Sequence, residues 1–221
     1  MFLLYRVRIE TAARRCIPVA TTILCAVTWL FAVVQPARAA PGNNDFADAY
    51  VLVGQLASTN GSNVDATKEP GEQNHAGNAG GKSVWWNWTA TTNGLVTIDT
   101  TGSSFDTLLA VYTGDSVSNL DLMARNDDGG PGNQSLLTFS PLVGTTYHIA
   151  VDGYNADSGS IVLNLNLQVV VQPNDQFTNR IAISGLSNSV AGSNIGATME
   201  PGEPDHAGVA GGHSVWWMWT G

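Results

Sequence analysis

GSNVDATKEPGEQNHAGNAGGKSVWWNWT, residues 61–89, returns as GSNIGATMEPGEPDHAGVAGGHSVWWMWT, residues 192–220. The two stretches lie 131 positions apart without a gap, and 21 of their 29 positions are identical. A second copy at a fixed offset marks duplicated structural units. Residues 41–171 therefore read as one complete domain and residues 173–221 as the opening of a truncated second repeat. Gln172-Pro173 makes the short linker.

Within the stretch, residues 69–81 hold Pro70, Gly71, Gly77, Gly80 and Gly81 and show neither a helical nor a strand period. That predicts a long surface loop. Residues 83–89, SVWWNWT, have the β-branched and aromatic content of a strand. Side chains alternate across a strand, so Val84, Trp86 and Trp88 share one purely apolar face, the expected core face. At about 150–250 Å² per ring and about 25 cal/mol per Å², each buried Trp contributes roughly 4–6 kcal/mol before entropy is subtracted. Trp85 points the other way and has two readings: an outward ring that grips a ligand, or a ring buried beneath the Gly-rich loop. Both copies pair the same loop with the same Trp, which favours burial.

Outward from this strand the pattern stays short and alternating. Phe46, Ala49, Tyr50 and Leu52 anchor a helical turn or a first strand. Residues 95–100 follow an Asn93-Gly94 hairpin turn. Residues 105–113, apolar on both faces, read as a central strand. Residues 120–125 and 136–139 flank the loop 126–133, and alternating runs cover 147–151 and 161–167. Seven or eight short strands with frequent turns and no helical segment predict an all-β fold, an antiparallel β-sandwich.

Residues 1–39 are of another kind. Arg6, Arg8, Arg14 and Arg15 precede an apolar run over 17–34, and Ala37-Arg38-Ala39 closes it. This is the pattern of a secretory signal peptide, with cleavage after Ala39 and no membrane insertion afterwards. Both cysteines, Cys16 and Cys25, lie inside it, and Cys25 lacks a lipoprotein box. The processed chain is then expected at the cell surface or secreted, with no disulfide. It keeps Lys68, Lys82, Arg125 and Arg180 against 17 carboxylates, a net charge of −13. Such a surface repels phosphate backbones, so nucleic acid is excluded as a partner, and it attracts cations such as Ca²⁺.

Several chemical motifs dissolve on inspection. Asp127-Asp128-Gly129 and Asp152-Gly153 lack the spacing of a calcium loop and read as Asx turns. Residues 77–83 mimic a phosphate loop but are one residue short and lead into a strand instead of a helix. Ser83, Ser104, His75 and His148 are not placed together by any nucleophile motif, and His148 reads as a surface residue. No catalytic residue is expected.

PGNNDF, NVDATKEPGEQNHAG, SVWWNWT, SSFDTLLAVYTG, ARNDDGG and YHIAVDGYN together resemble the bacterial pre-peptidase C-terminal domains, over residues 41–168 and in part 173–220. The resemblance implies a jelly-roll-like β-sandwich, related to collagen-binding domains of clostridial collagenases, that is not itself catalytic. It also implies Ca²⁺ where the N-terminal segment meets the loop before the first long strand. The matching positions are Asn43, Asn44, Asp45, Glu69 and Glu72. The expected function is an extracellular attachment, spacing or binding module for a protein or polysaccharide ligand. The alternatives are an accessory region of a secreted hydrolase whose catalytic domain lies beyond residue 221, and a carbohydrate-binding module using Trp85, Tyr112 and Tyr154.

Overall fold

The computed structural model describes residues 39–209 and 211–220. The signal-peptide reading falls on residues 1–39 and so lies, apart from Ala39, outside the described residues. No helix among the described residues is long and apolar enough to cross a membrane.

The first copy contains nine strands: β1 (Tyr50–Leu52), β2 (Leu56–Ser62), β3 (Val84–Thr89), β4 (Leu95–Asp99), β5 (Thr107–Thr113), β6 (Asp121–Asn126), β7 (Leu136–Phe139), β8 (Thr146–Gly153) and β9 (Ser160–Gln168). They form two sheets, ordered β1-β3-β8-β5-β6 and β2-β9-β4-β7. Every pairing is antiparallel except β1 with β3, which is parallel. That one exception has a topological cause. Between β1 and β3 the chain crosses to the other sheet as β2 and returns through the long loop, and such a crossover delivers a parallel neighbour.

The two sheets face each other across one apolar core. Val84, Trp86, Trp88, Leu109, Val111, Tyr147, Ile149 and Val151 come from the five-stranded sheet. Val96, Ile98, Leu137, Ile161, Leu163, Leu165 and Leu167 come from the four-stranded one. Trp88 also donates its indole N–H to the Gly54 carbonyl at 2.9 Å, so its one polar atom is satisfied. The molecule is an all-β sandwich.

Strand β2 escaped the sequence reading, because LASTNGS has almost no apolar side chains. It pairs with β9 through seven registered residues. Its inward positions stay small for a steric reason: a Cβ at residue 61 would stand 3.0 Å from the Trp86 ring. Gly61 lets the indole close against the sheet.

The five-stranded sheet is covered on its second face as well. Trp85, Ala110, Tyr112, Leu120 and Ala150 form a separate buried cluster, closed by Phe46, Ala49 and Val117. This explains why β5 is buried at six successive positions.

Residues 174–220 repeat the opening of this architecture. Strand β10 (Ile181–Ser184) pairs in parallel with β11 (Trp217–Thr220), with Ile181 opposite Trp217. In the first copy Tyr50 lies opposite Trp86, the same register moved by 131 positions. The surroundings differ. Trp88 is wholly buried, whereas its counterpart Trp219 is 63% exposed.

Truncating a buried indole removes its transfer energy and leaves a cavity. Trp88→Ala is expected to cost about 3–5 kcal/mol of unfolding free energy, and Trp219→Ala under about 1 kcal/mol. Urea denaturation of the full chain, followed by circular dichroism, measures both. Equal costs would contradict the assignment of the core.

Candidate functional site

The second face of the five-stranded sheet gathers most of the polar residues singled out above, and they form one hydrogen-bonded clasp. Asn43 is buried and pairs with the Trp85 backbone twice: Trp85 N–H donates to the Asn43 carbonyl at 2.9 Å, and Asn43 Nδ2 donates to the Trp85 carbonyl at 3.0 Å. Asn44 Oδ1 accepts the Thr67 N–H at 2.7 Å. Glu69 Oε2 accepts the Phe46 N–H at 2.6 Å. Glu72 Oε2 accepts the Glu69 N–H at 2.8 Å. The N-terminal segment is thereby tied to β3 and to the loop in front of it.

The loop is then tied down onto the sheet. His75 is fully buried, with Nε2 2.7 Å from Glu72 Oε1 and Nδ1 2.8 Å from the Tyr112 hydroxyl. Burial, and next the negative charge of Glu72, push the Tyr112 hydroxyl well above its ordinary value, so it remains a donor. The geometry lets His75 Nε2–H donate to Glu72 and Nδ1 accept from the Tyr112 hydroxyl, so both ring nitrogens have partners. Burial opposes ionisation of Glu72. Hydrogen bonds from His75 and the Glu69 N–H outweigh it, and the carboxyl stays below its usual range. Trp85 lies edge-on to both Phe46 and His75, with ring centroids 5.3 and 5.4 Å away.

A calcium ion at Asn43, Asn44, Asp45, Glu69 and Glu72 does not fit this arrangement. Ca²⁺ needs six to eight free oxygens, whereas Glu72 has both oxygens committed and a side chain only 1% exposed. Glu69 caps Phe46, and Asp45 Oδ1 accepts from Asn44 Nδ2 at 2.6 Å. The second copy points the same way. Asp175 and Gln176 stand where Asn44 and Asp45 stand in the first copy, so the carboxylate moves by one position; Phe177 N–H still reaches Glu200 at 2.7 Å, and Glu200 N–H still reaches Glu203 at 2.8 Å. In both copies protein N–H groups engage these carboxylates.

The readings of Trp85 as a contact residue and of His148 as a surface residue need correction. Trp85 is 0% exposed and Tyr112 is 1%, because the loop folds over both; of the three candidate sugar-stacking rings only Tyr154 faces solvent. His148 is half-buried, packs on Phe46 at 4.6 Å and bonds Asn87 Oδ1 at 2.7 Å. Burial holds its imidazole below the ordinary value.

Asp152 is no Asx turn either. Its buried carboxylate accepts the backbone N–H groups of Gly81 and Lys82, at 2.7–3.1 Å. The residues that mimic a phosphate loop do cradle an anion, and the anion is the protein's own. A Cβ at Gly80, where φ is +53°, would collide with that carboxylate.

Asp127 and Asp128 lie near a third carboxylate, Asp106. Asp106, at the start of β5, and Asp127 and Asp128, after β6, bring their carboxylate oxygens within 4.8 Å of one another. They are the one such cluster of three or more potential ligands found among the described residues.

Residues 82–153 match the family model of the bacterial pre-peptidase C-terminal domain. Over those residues the chain is similar to that family. It is similar to the solved pre-peptidase C-terminal domain of collagenase from Bacillus anthracis, at 14% identity and a TM-score of 0.34. That likeness covers 54% of this chain and 94% of the other. No curated protein matches the chain. The part of the domain matched by the family model holds Trp85, Tyr112, Asp152 and the three clustered aspartates. Asn43 to His75, the other half of the clasp, precede it in sequence and complete the domain in space.

A carboxyl whose folded value lies below 4.5 stabilises the fold above that pH. The contribution disappears as pH falls through the folded value. The melting temperature of the full chain should therefore drop as pH is lowered from about 5 to about 3, and more gently in Glu72→Gln. Identical acid slopes would remove Glu72 from this role.

Proposed function

We propose that the chain is part of an exported bacterial protein in which the pre-peptidase C-terminal domain is a non-catalytic module. Its role is attachment, spacing or ligand binding, at the cell surface or in the medium. The observation that carries this reading is the duplicated clasp. Asn43, Glu69, Glu72 and His75 recur as Asn174, Glu200, Glu203 and His206, with the same hydrogen bonds at nearly the same lengths. What is repeated is a way of packing a loop over a Trp. The carboxylates and histidine that have reactive potential are spent on that packing. Modules strung along a chain to space or attach other domains are repeated in this fashion.

Two properties of the sequence support the cellular setting. The basic, apolar and Ala-x-Ala organisation of residues 1–39 is that of an export signal. The net charge of −13 after Ala39 argues against a nucleic-acid partner. The partner is then an extracellular protein or polysaccharide. The family match favours one form of this reading, in which the module serves a secreted peptidase. A carbohydrate-binding role has little support, since only Tyr154 of its three proposed rings is open to solvent.

Expression in a bacterial host that exports through its own signal machinery tests the reading. The chain is expected in the medium or on the cell surface with Ala40 as its first residue, and without hydrolysis of casein or chromogenic esters. Retention inside the cell with an intact first 39 residues overturns the export half. Turnover of either substrate by the purified chain overturns the non-catalytic half.

A further inference from the structure

The two copies depart from one another where the second meets the first. Residues 195–199, IGATM, carry no charge, whereas their counterparts, residues 64–68, VDATK, carry Asp65 and Lys68. Much of the second copy is more exposed than the first: Asn63 is fully buried, and its counterpart Asn194 is exposed. Position 196 inverts that trend. Asp65 is exposed, and its counterpart Gly196 is buried. Both residues take the left-handed backbone, at φ +65° and +76°, so the conformation itself tolerates Asp. Glycine at 196 answers a need for space outside its own repeat. A Cβ there would stand 2.6 Å from the Val170 carbonyl oxygen and 2.9 Å from Val170 Cβ, at the end of the first copy.

More contacts lie along the same seam. A Cβ at Gly212 would stand 2.7 Å from Leu142 Cδ2, in the turn between β7 and β8. Gln172 Nε2 donates to the Ile195 carbonyl at 2.8 Å and fastens the linker to the second copy. Pro173, next to it, has its φ fixed by its ring. Leu142 and Val143 on one side, and Met199, Gly211 and Gly212 on the other, border a cleft of about 310 Å³ between the copies. The counterpart of Met199 is Lys68, whose ammonium donates to the carbonyls of Gln73 and Ala79 at 2.8 and 3.1 Å. The second copy thus presents an apolar chain towards Leu142 and Val143 where the first copy carries a charge.

Tandem domains move relative to one another unless an interface holds them. We propose that the β7–β8 turn and Val170 of the first copy form a docking surface for residues 195–199 and 211–212 of the second, so that the two copies stack in one fixed orientation. The occupant is the following repeat. It is seated on this surface, and Gly196 and Met199 differ from their first-copy counterparts in the way the contact requires. Asp at position 196 would set a carboxylate against the Val170 carbonyl, oxygen against oxygen, in a buried place. The stack rests on the spacing role proposed above and gives that spacer a fixed geometry.

Double electron–electron resonance on the full chain tests it. Cys16 and Cys25 are replaced by Ser, and nitroxide labels are attached at Thr138→Cys and Ser187→Cys, two exposed positions, one in each copy. Dilution into unlabelled chain restricts the signal to intramolecular distances. A single narrow distance peak is expected. Gly196→Asp, which installs the first-copy residue in the same backbone conformation, should broaden and shift the peak. Leu142→Glu should do the same from the other side of the seam, leaving the second copy's own residues untouched. Asp65→Gly, the reciprocal change in the first copy, should leave the peak as it is. A broad parent distribution, as a free linker gives, overturns the stack. So does a narrow peak retained in both Gly196→Asp and Leu142→Glu, or one lost equally in Asp65→Gly. The measurement needs neither export nor an assay of hydrolysis, so the stack and the proposed function can fail separately.

Discussion

One strand holds both faces of the five-stranded sheet. Val84, Trp86 and Trp88 of β3 point into the space between the sheets, and Trp85, between them, points the opposite way into a second apolar layer. Each indole displaces on the order of 150–250 Å² of surface from water, a large contribution for one short segment. The consequence is a domain of three layers rather than two: the four-stranded sheet, the five-stranded sheet, and a cover built from the N-terminal segment and the long loop. Without that cover, Trp85 and Tyr112 would be solvent-exposed on an otherwise apolar sheet face.

The cover has few apolar side chains of its own, so it is fastened by polar ones. Asn43 seals the Trp85 backbone, Glu69 accepts the Phe46 N–H, and Glu72 accepts the Glu69 N–H. His75 bridges to Tyr112, and Asp152 receives the amides of Gly81 and Lys82. Each bond of this kind is modest in isolation, about 1 kcal/mol. Together they satisfy buried donors that would otherwise be costly. The second copy shows that most of this arrangement is local. Glu203 and His206 stay 2.7 Å apart although the His206 side chain is half exposed.

At the opposite extreme stand the three aspartates between β5 and β6, whose charges the protein's own donors leave largely unmet. The contrast is instructive because both corners are acidic. At the clasp, carboxylates are matched one by one with N–H groups. At the β5–β6 end, the turn is built by Asn126 and the aspartates are left over. A count of acidic residues cannot separate the two situations; the partner of each oxygen does.

Much of the fold was legible in the chain itself. The alternation in SVWWNWT placed three apolar residues on one face, the doubly apolar run at 105–113 marked the buried strand β5, and the exact spacing of the repeat marked duplicated units, which share the register of β1–β3 and β10–β11. These features depend on period and repetition, which are properties of a linear sequence. Strand β2 was not legible, because LASTNGS is small and polar where the Trp86 ring needs room. Nor were the roles of Asp152 and Asp106 visible, since their partners lie 71 and 27 positions away. Composition and pattern determine which residues must leave water. Which carboxylate finds a donor and which is left unpaired is decided only when distant segments meet, because a hydrogen bond depends on position in space.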